Sequence, residues 1–505
     1  MSLKQLPSEL ILQVFQQIDD AKALQSVACT CAEFRDVAEI CLYSRALITQ
    51  RASMEQFMEL CRSDTRRASY IHELQLLYSV RQYDRLETQP VDLLYFPCLG
   101  TFVSESPFCN GHSRIGKNDE GIWKADKEAY MRAFEKASLL SGIPKAEKPL
   151  SKLRSITLHW TTSIHLRFWE TSPACPVFLL PELHELELSC VKIKISESDP
   201  DLSAFRSKTA LKSIIFRESI VSPDALEQIL SLPSGLTTLV LHELNYHRTG
   251  TSFYNFFKDD LETSQRALSL QATSLRYFDF YGQYTGYTGR LERRSRCLDL
   301  SNMTALTYLQ LDSGDCNIET PPPNLETLCL TNVDLRLLRV GMRPMLLKSV
   351  NLEECLRSCS VRKTEFRLDL RIHPQYPAWS VGQREDVSIR QVIANFQNKL
   401  DTFKHTLAEL PEEDEPTGPL KPDNAGDGAA SDISPELVPV RMRVLTAKRV
   451  SYIPPYLYRE KAPKWIVRYD SDFLAHPYNE DRTLAEDDSS GDEEMSAAFR
   501  NGELS

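Results

Sequence analysis

The stretch Met1–Ile48 reads MSLKQLPSELILQVFQQIDDAKALQSVACTCAEFRDVAEICLYSRALI. Its apolar spacing predicts three short helices. Pro7 suits a first helical turn, where its missing N–H would have no partner anyway. Leu10, Ile11, Val14, Phe15 and Ile18 then recur at the intervals of one helical face. Asp19-Asp20 precedes a second helix carrying Ala23, Leu24 and Val27. Thr30-Cys31-Ala32-Glu33 has capping-box spacing for a third, with Phe34, Val37, Ala38, Cys41 and Leu42 on its apolar face. A segment this short buries too little surface to be robust alone, so these apolar residues require a partner surface.

At Leu6, Pro7, Glu9, Leu10, Ile11, Val14, Phe15, Ile18, Leu24, Val27, Cys31, Phe34, Arg35, Leu42 and Tyr43 the segment resembles an F-box. The resemblance covers about a tenth of the chain, and Ala28-Cys29-Thr30 departs from it where family members often carry Ser and more basic residues. It implies a substrate-recognition subunit of a Skp-cullin-F-box ubiquitin ligase, docked on a Skp-type adaptor and through it on a cullin scaffold. The implied docking residues are Leu6, Pro7, Glu9, Leu10, Ile11, Val14, Phe15, Leu24, Val27, Phe34 and Leu42. Such a subunit performs no bond chemistry; it raises the effective concentration of a substrate lysine near a charged ubiquitin-conjugating enzyme.

The middle of the chain repeats itself. Seven stretches share the form (Ser/Thr/Pro)-x-Leu-x-x-(Leu/Ile/Phe)-x-(Leu/Phe): Ser151–Leu158, Pro181–Leu188, Thr209–Phe216, Ser234–Leu241, Thr273–Phe280, Thr304–Leu311 and Pro323–Leu330. Looser copies occur at Ile71/Leu74/Leu76 and Leu347/Val350/Leu352. The last two apolar residues of each unit lie two apart, so both point to one face of a short strand. One unit cannot bury that face, whereas stacked units can. The pattern resembles leucine-rich repeats, although the copies lie 19 to 39 residues apart, more irregular than usual. Ser222–Leu232 and Phe253–Leu270 read as helices filling the wider gaps.

The expected fold is therefore α/β: an F-box at 1–48, connecting helices and irregular repeats at 49–150, and a leucine-rich-repeat-like solenoid with a curved parallel sheet at 151–386. Within 49–150, Ala52–Ala68 and Lys124–Leu140 read as helices, Ile71–Leu77 as a strand and Cys98–Gly121 as a loop. A closing helix is expected at 387–410, a disordered acidic linker at 411–436, and an ordered segment at 437–479, either a strand pair or a recognition segment. A disordered acidic tail ends the chain at 480–505.

Charge follows this division. The 505 residues carry a net charge of −11. Glu409–Glu436 contributes −8 and Glu480–Ser505 contributes −7, leaving +4 for the rest. Nothing resembles a nucleic-acid stripe, and no apolar run is long enough to cross a membrane, so neither nucleic acid nor membrane is an expected partner. The N-terminus has no secretory pattern, and the 13 scattered cysteines fit a reducing compartment, which points to cytoplasm or nucleus.

The sequence carries little that points to bond chemistry. His242 and His247 sit one residue too far apart for a zinc-protease helix, and Cys29/Cys31 and Cys355/Cys359 lack second pairs at zinc spacing. No metal, cofactor or catalytic residue is expected. A protein substrate, unnamed by the sequence, is expected on the concave strand face at Arg217, His242, Tyr277, Tyr281, Tyr308 and Asp312, with the tyrosines as rigid amphipathic anchors. Ser489 and Ser490 each precede an acid by three residues and are candidates for phosphorylation. The alternative function is a repeat-based interaction scaffold without a ligase.

Overall fold

A computed structural model describes residues 6–18, 20–77, 90–106, 117–161, 168–243, 260–282, 297–312, 317–333, 354–355, 357–358, 362, 364–372, 440–447 and 465–470. The fold is α/β, with helices at the N-terminus followed by a long run of parallel strands. The chain divides into two compact units, residues 1–307 with 452–460, and residues 308–451 with 461–505.

The first unit opens with α1 (Ser8–Phe15), α2 (Ala21–Ala28) and α3 (Ala32–Ser44). α3 runs directly into β1 (Arg45–Ile48), and α4 (Arg51–Ser63) and α5 (Thr65–Tyr70) lead to β2 (Glu73–Leu77). Next come β3 (Thr101–Glu105), α6 (Lys117–Ala137), β4 (Ser155–His159), β5 (Trp169–Thr171), β6 (Glu185–Ser189), β7 (Val191–Ile193), β8 (Ser213–Arg217) and β9 (Ile220–Val221). α7 (Pro223–Ser231), β10 (Thr238–His242), α8 (Leu261–Ser269), β11 (Tyr277–Tyr281) and β12 (Cys297–Asp299) complete the unit.

Its main sheet runs β1-β2-β3-β4-β6-β8-β10-β11, every neighbouring pair parallel. The register explains the sequence repeat. Leu74, Phe102, Ile156, Leu186, Ile214, Leu239 and Phe278 align as one row, and Leu76, Ser104, Leu158, Leu188, Phe216, Leu241 and Phe280 as the next. Their apolar members are at most 3% exposed. Each fully buried side chain of this size stabilises by roughly 1.5–3 kcal/mol as an upper estimate. Helices α6, α7 and α8 contribute to the core through Tyr130, Phe134, Leu226, Ile229 and Leu268, all buried. The Phe102 ring meets Tyr130 at 5.3 Å and Phe134 at 6.1 Å.

After β6 and β8 the chain turns a corner through a left-handed residue, Cys190 (φ 53°) or Glu218 (φ 46°). It then enters a second small parallel sheet, β5-β7-β9. A side chain at positive φ is uncommon outside glycine, so the same device at the same place in two successive repeats is a structural signature of the unit.

The second unit holds β13 (Tyr308–Asp312), β14 (Asn317–Thr320), β15 (Thr327–Val333), β16 (Phe366–Ile372), β17 (Val440–Ala447) and β18 (Trp465–Asp470). β15 pairs parallel with β13 and β16, β17 is parallel to β16, and β18 closes antiparallel on β17. Within 437–479 the described residues are thus a strand pair.

Each of the seven repeat copies carries a strand that begins four residues after its first position. Other expectations need correction. Cys98–Gly121 is not one loop, because it contains β3 and the start of α6. β3 escapes the repeat pattern because Ser104 stands where an apolar residue is expected, and its hydroxyl accepts the Trp160 Nε1 proton at 3.1 Å. The helix expected over Ala52–Ala68 breaks at Asp64, whose carboxylate accepts from Arg66 N at 3.1 Å and so starts α5. The Thr30–Glu33 capping box does not form. Thr30 Oγ1 instead donates to the Val27 carbonyl at 2.7 Å, closing α2. Residues 387–410, 411–436 and 480–505, with Ser489 and Ser490, lie outside the described residues.

Candidate functional site

The helices of the N-terminal segment make their own small core. Asp20 caps α2, its carboxylate accepting from Lys22 N at 2.9 Å. Ile11, Phe15, Leu24, Val37 and Ala38 are buried together, and Leu6, Leu12, Ile18, Val27, Phe34 and Leu42 are half-buried against them. Phe15 and Phe34 meet edge to face at 5.6 Å. The expectation that the whole apolar set requires a partner surface is therefore too broad. Of the eleven expected docking residues, Ile11, Phe15 and Leu24 are turned into the core and hold the helices together. Pro7, Glu9, Leu10 and Val14 face solvent, while Leu6, Val27, Phe34 and Leu42 lie between. Leu10 and Val14 are 43% and 44% exposed. They sit one helical turn apart, so they form one apolar stripe on α1.

The three-helix segment is fastened to α5 and β2. Arg67 on α5 donates to Glu39 on α3 at 3.2 Å, and its guanidinium lies 5.4 Å from the centre of the Tyr43 ring. His72 N, just before β2, donates to the Ser44 carbonyl at 2.9 Å where α3 becomes β1.

The strand face opposite the core carries a polar ladder in the first unit. His159 at the end of β4 stands between Glu105 of β3 (Nδ1 to Oε1, 3.3 Å) and Glu187 of β6 (Nε2 to Oε1, 3.4 Å). Arg217 of β8 donates from Nε to the same Glu187 oxygen. Burial alone would lower the His159 pKa, but hydrogen bonds to the two carboxylates override it and hold the imidazolium above the ordinary histidine value. Burial likewise works against Glu187, yet the bond from His159 and the charges of His159 and Arg217 bring its carboxyl down to about 2. Further along, His242 Nε2 lies 3.2 Å from Asp279 Oδ2, too poorly aligned for a hydrogen bond. The His242 ring is 5.8 Å from that of Tyr281.

Of the six residues expected to bind substrate, Arg217, His242, Tyr277 and Tyr281 lie in the first unit, all half-buried at strand ends. Tyr308 opens β13 in the second unit, its hydroxyl donating to Gln310 at 3.2 Å, and Asp312 ends the same strand. The second unit has a polar centre that the sequence reading missed. Arg367 and Arg443 each grip the buried Asp369 with two hydrogen bonds of 2.7–3.0 Å. The signal was present in Phe366-Arg-Leu-Asp-Leu-Arg-Ile372, a strict alternation that places every charge on one face of β16.

No His/Cys/Asp/Glu group among the described residues could hold a metal ion, and no helix among them is long and apolar enough to cross a membrane.

Comparison with known proteins bears on the N-terminus. Residues 3–78 match a family model described as the COS11 F-box domain. No curated protein matches the chain. The matched stretch reaches from α1 to the end of β2, so it includes the Arg67 fastening as well as the three-helix core. The match supports an F-box protein, and F-box domains generally serve as non-catalytic adaptors that bind Skp-type subunits in ubiquitin ligases.

Proposed function

We propose that this chain is the substrate-recognition subunit of a Skp-cullin-F-box ubiquitin ligase, acting in the cytoplasm or nucleus. The observation that carries the reading is the exposed Leu10–Val14 stripe on α1, inside the stretch that matches the F-box model. Two exposed aliphatic residues one turn apart, on a helix whose other face is already packed, form the apolar centre of a helix-mediated contact. Pro7 and Glu9 beside them supply its rim.

The repeats of each unit are leucine-rich-repeat-like, and the substrate is a protein held on polar strand faces. Arg217, His242, Tyr277 and Tyr281 in the first unit, and Tyr308 and Asp312 in the second, are the residues proposed to meet it. The supporting feature is the regular spacing of polar and aromatic side chains along strands whose opposite face is core. No group in this reading makes or breaks a bond, and it requires neither metal nor cofactor. Ser489 and Ser490 remain candidates for phosphorylation.

Co-purification of the full chain with a Skp-type adaptor tests the reading. The wild-type chain forms a stoichiometric complex, and Leu10→Asp/Val14→Asp loses it while remaining folded. Adaptor binding that survives both substitutions contradicts the assignment of α1.

A further inference from the structure

A cavity of about 300 Å³ lies in the first unit, where the end of α6, the turn at 145–151 and the segments leading into β4 and β6 meet. Most of its wall is apolar, including Leu150, Leu153, Leu180 and Pro181. Lys148 is part of that wall and is only 7% exposed. Its ammonium donates to the Ser138 carbonyl at 2.5 Å, just past the end of α6, and to Ser141 Oγ at 2.8 Å.

Both of these acceptors are neutral. An ammonium carries three N–H donors, and two are used. Lys148 forms no salt bridge with a carboxylate among the described residues, and burial holds its pKa below the ordinary lysine value. Burying a cation opposite neutral groups alone is costly. Among the described residues the cavity wall holds one carboxylate, Glu182, which is already paired with Lys145 and lies 3.4 Å from Arg154 Nη2. Cationic groups therefore outnumber acids at this site, against apolar walls and in a volume at the small end of ligand cavities.

We infer that this cavity binds a carboxylate carried on an aliphatic body, and that the source is the free carboxyl terminus of a protein chain ending in an aliphatic residue. The carboxylate takes the remaining Lys148 donor with help from Lys145, and the aliphatic side chain packs on Leu150, Leu153 and Leu180. The choice of a protein terminus over a free acid rests on the substrate-receptor reading; the carboxylate chemistry does not.

Fluorescence anisotropy of the full chain with a labelled peptide, Gly-Gly-Ser-Ala-Leu with a free carboxyl, tests this, alongside the same peptide amidated and octanoate as competitor. The expected result is saturable binding of the acid, at least about tenfold weaker binding of the amide, and displacement by octanoate. Lys148→Met and Ala146→Phe each weaken the acid by about tenfold or more, whereas Lys194→Met does not. Because Lys148 also closes the end of α6, Ala146→Phe serves as the second variant: Ala146 is exposed, so a larger side chain there fills the cavity without entering the core. Equal binding of acid and amide, binding unchanged in Ala146→Phe, or no binding of either the peptide or octanoate at millimolar concentration overturns the site. Octanoate that binds by calorimetry while the peptide does not overturns the chain-terminus assignment alone. Adaptor co-purification of the same variants separates failure of this site from failure of the receptor reading, since α1 is no part of the cavity.

Discussion

His159 shows how a single residue couples fold to pH. Its folded pKa is raised by two carboxylates, so its stabilising contribution is complete below the unfolded value of 6.5 and is lost as pH rises through the higher folded value. Glu187 acts at the other end: its contribution is present above 4.5 and lost as pH falls toward about 2. Urea midpoints measured from pH 5 to 9 should therefore decline through the His159 titration, and His159→Gln should remove that part of the slope; an unchanged slope contradicts the ladder. Glu218 adds a second decline. Burial raises its carboxyl to about 8, and neither oxygen has a hydrogen-bond partner among the described residues, so folding disfavours the ionised form between pH 4.5 and 8. Glu218→Gln should raise stability at pH 8 by about 2–4 kcal/mol and leave pH 4 nearly unchanged, as read by denaturant titration. Gln271 is a purely structural counterpart. Its buried amide donates to the Leu230 and Pro233 carbonyls and accepts from Leu236 N and Ser274 Oγ, tying the ends of α7 and α8 together. Gln271→Leu strands several of these groups and should cost about 2–4 kcal/mol by the same titration.

At the scale of elements, α1 separates two roles that share one sequence pattern. Leu10→Asp/Val14→Asp should change stability by no more than about 0.5 kcal/mol, because both side chains are exposed. Phe15→Ala should cost about 3–5 kcal/mol in the N-terminal core, since Phe15 is 2% exposed and packs on Phe34. Thermal melts of the two variants check the contrast, and a reversed order would show the helix is turned the other way. The presence of α1 was legible from spacing, but its rotation was not. Leu10/Val14 and Ile11/Phe15 form adjacent stripes about 100° apart, and only the position of α3 decides which one turns inward. Strands β4, β6, β8, β10, β11, β13 and β15 were legible because their inward rows are uniformly apolar. β3 was not, because Ser104 and Trp160 replace an apolar contact with a hydrogen bond. Similarly, the Thr30 hydroxyl had two competing backbone targets, and the one closing α2 prevailed over the one opening α3.

For the whole molecule, the repeat reading foresaw parallel strands but not the pairing on their polar face. Charges such as Glu105, Glu187 and Asp369 look like solvated positions in the sequence, yet partners from other strands pair them: His159 with both glutamates, and Arg443 with Asp369. Period-2 alternation identifies the face but not the neighbour across it, because registry between strands tens of residues apart is set by stacking. The same limit hid the Lys148 cavity, whose walls come from the end of α6 and from two separate repeat turns. The N-terminal assignment depends least on such long-range registry, since its helices pack on one another. The central claim is that the Leu10–Val14 stripe is the adaptor contact, and hydrogen exchange of the full chain with and without a purified Skp-type adaptor tests it most directly. The account predicts a stable complex with new protection concentrated in residues 6–18, and none along β4, β6 or β8. A complex that leaves 6–18 unprotected, or no complex at all, would contradict it.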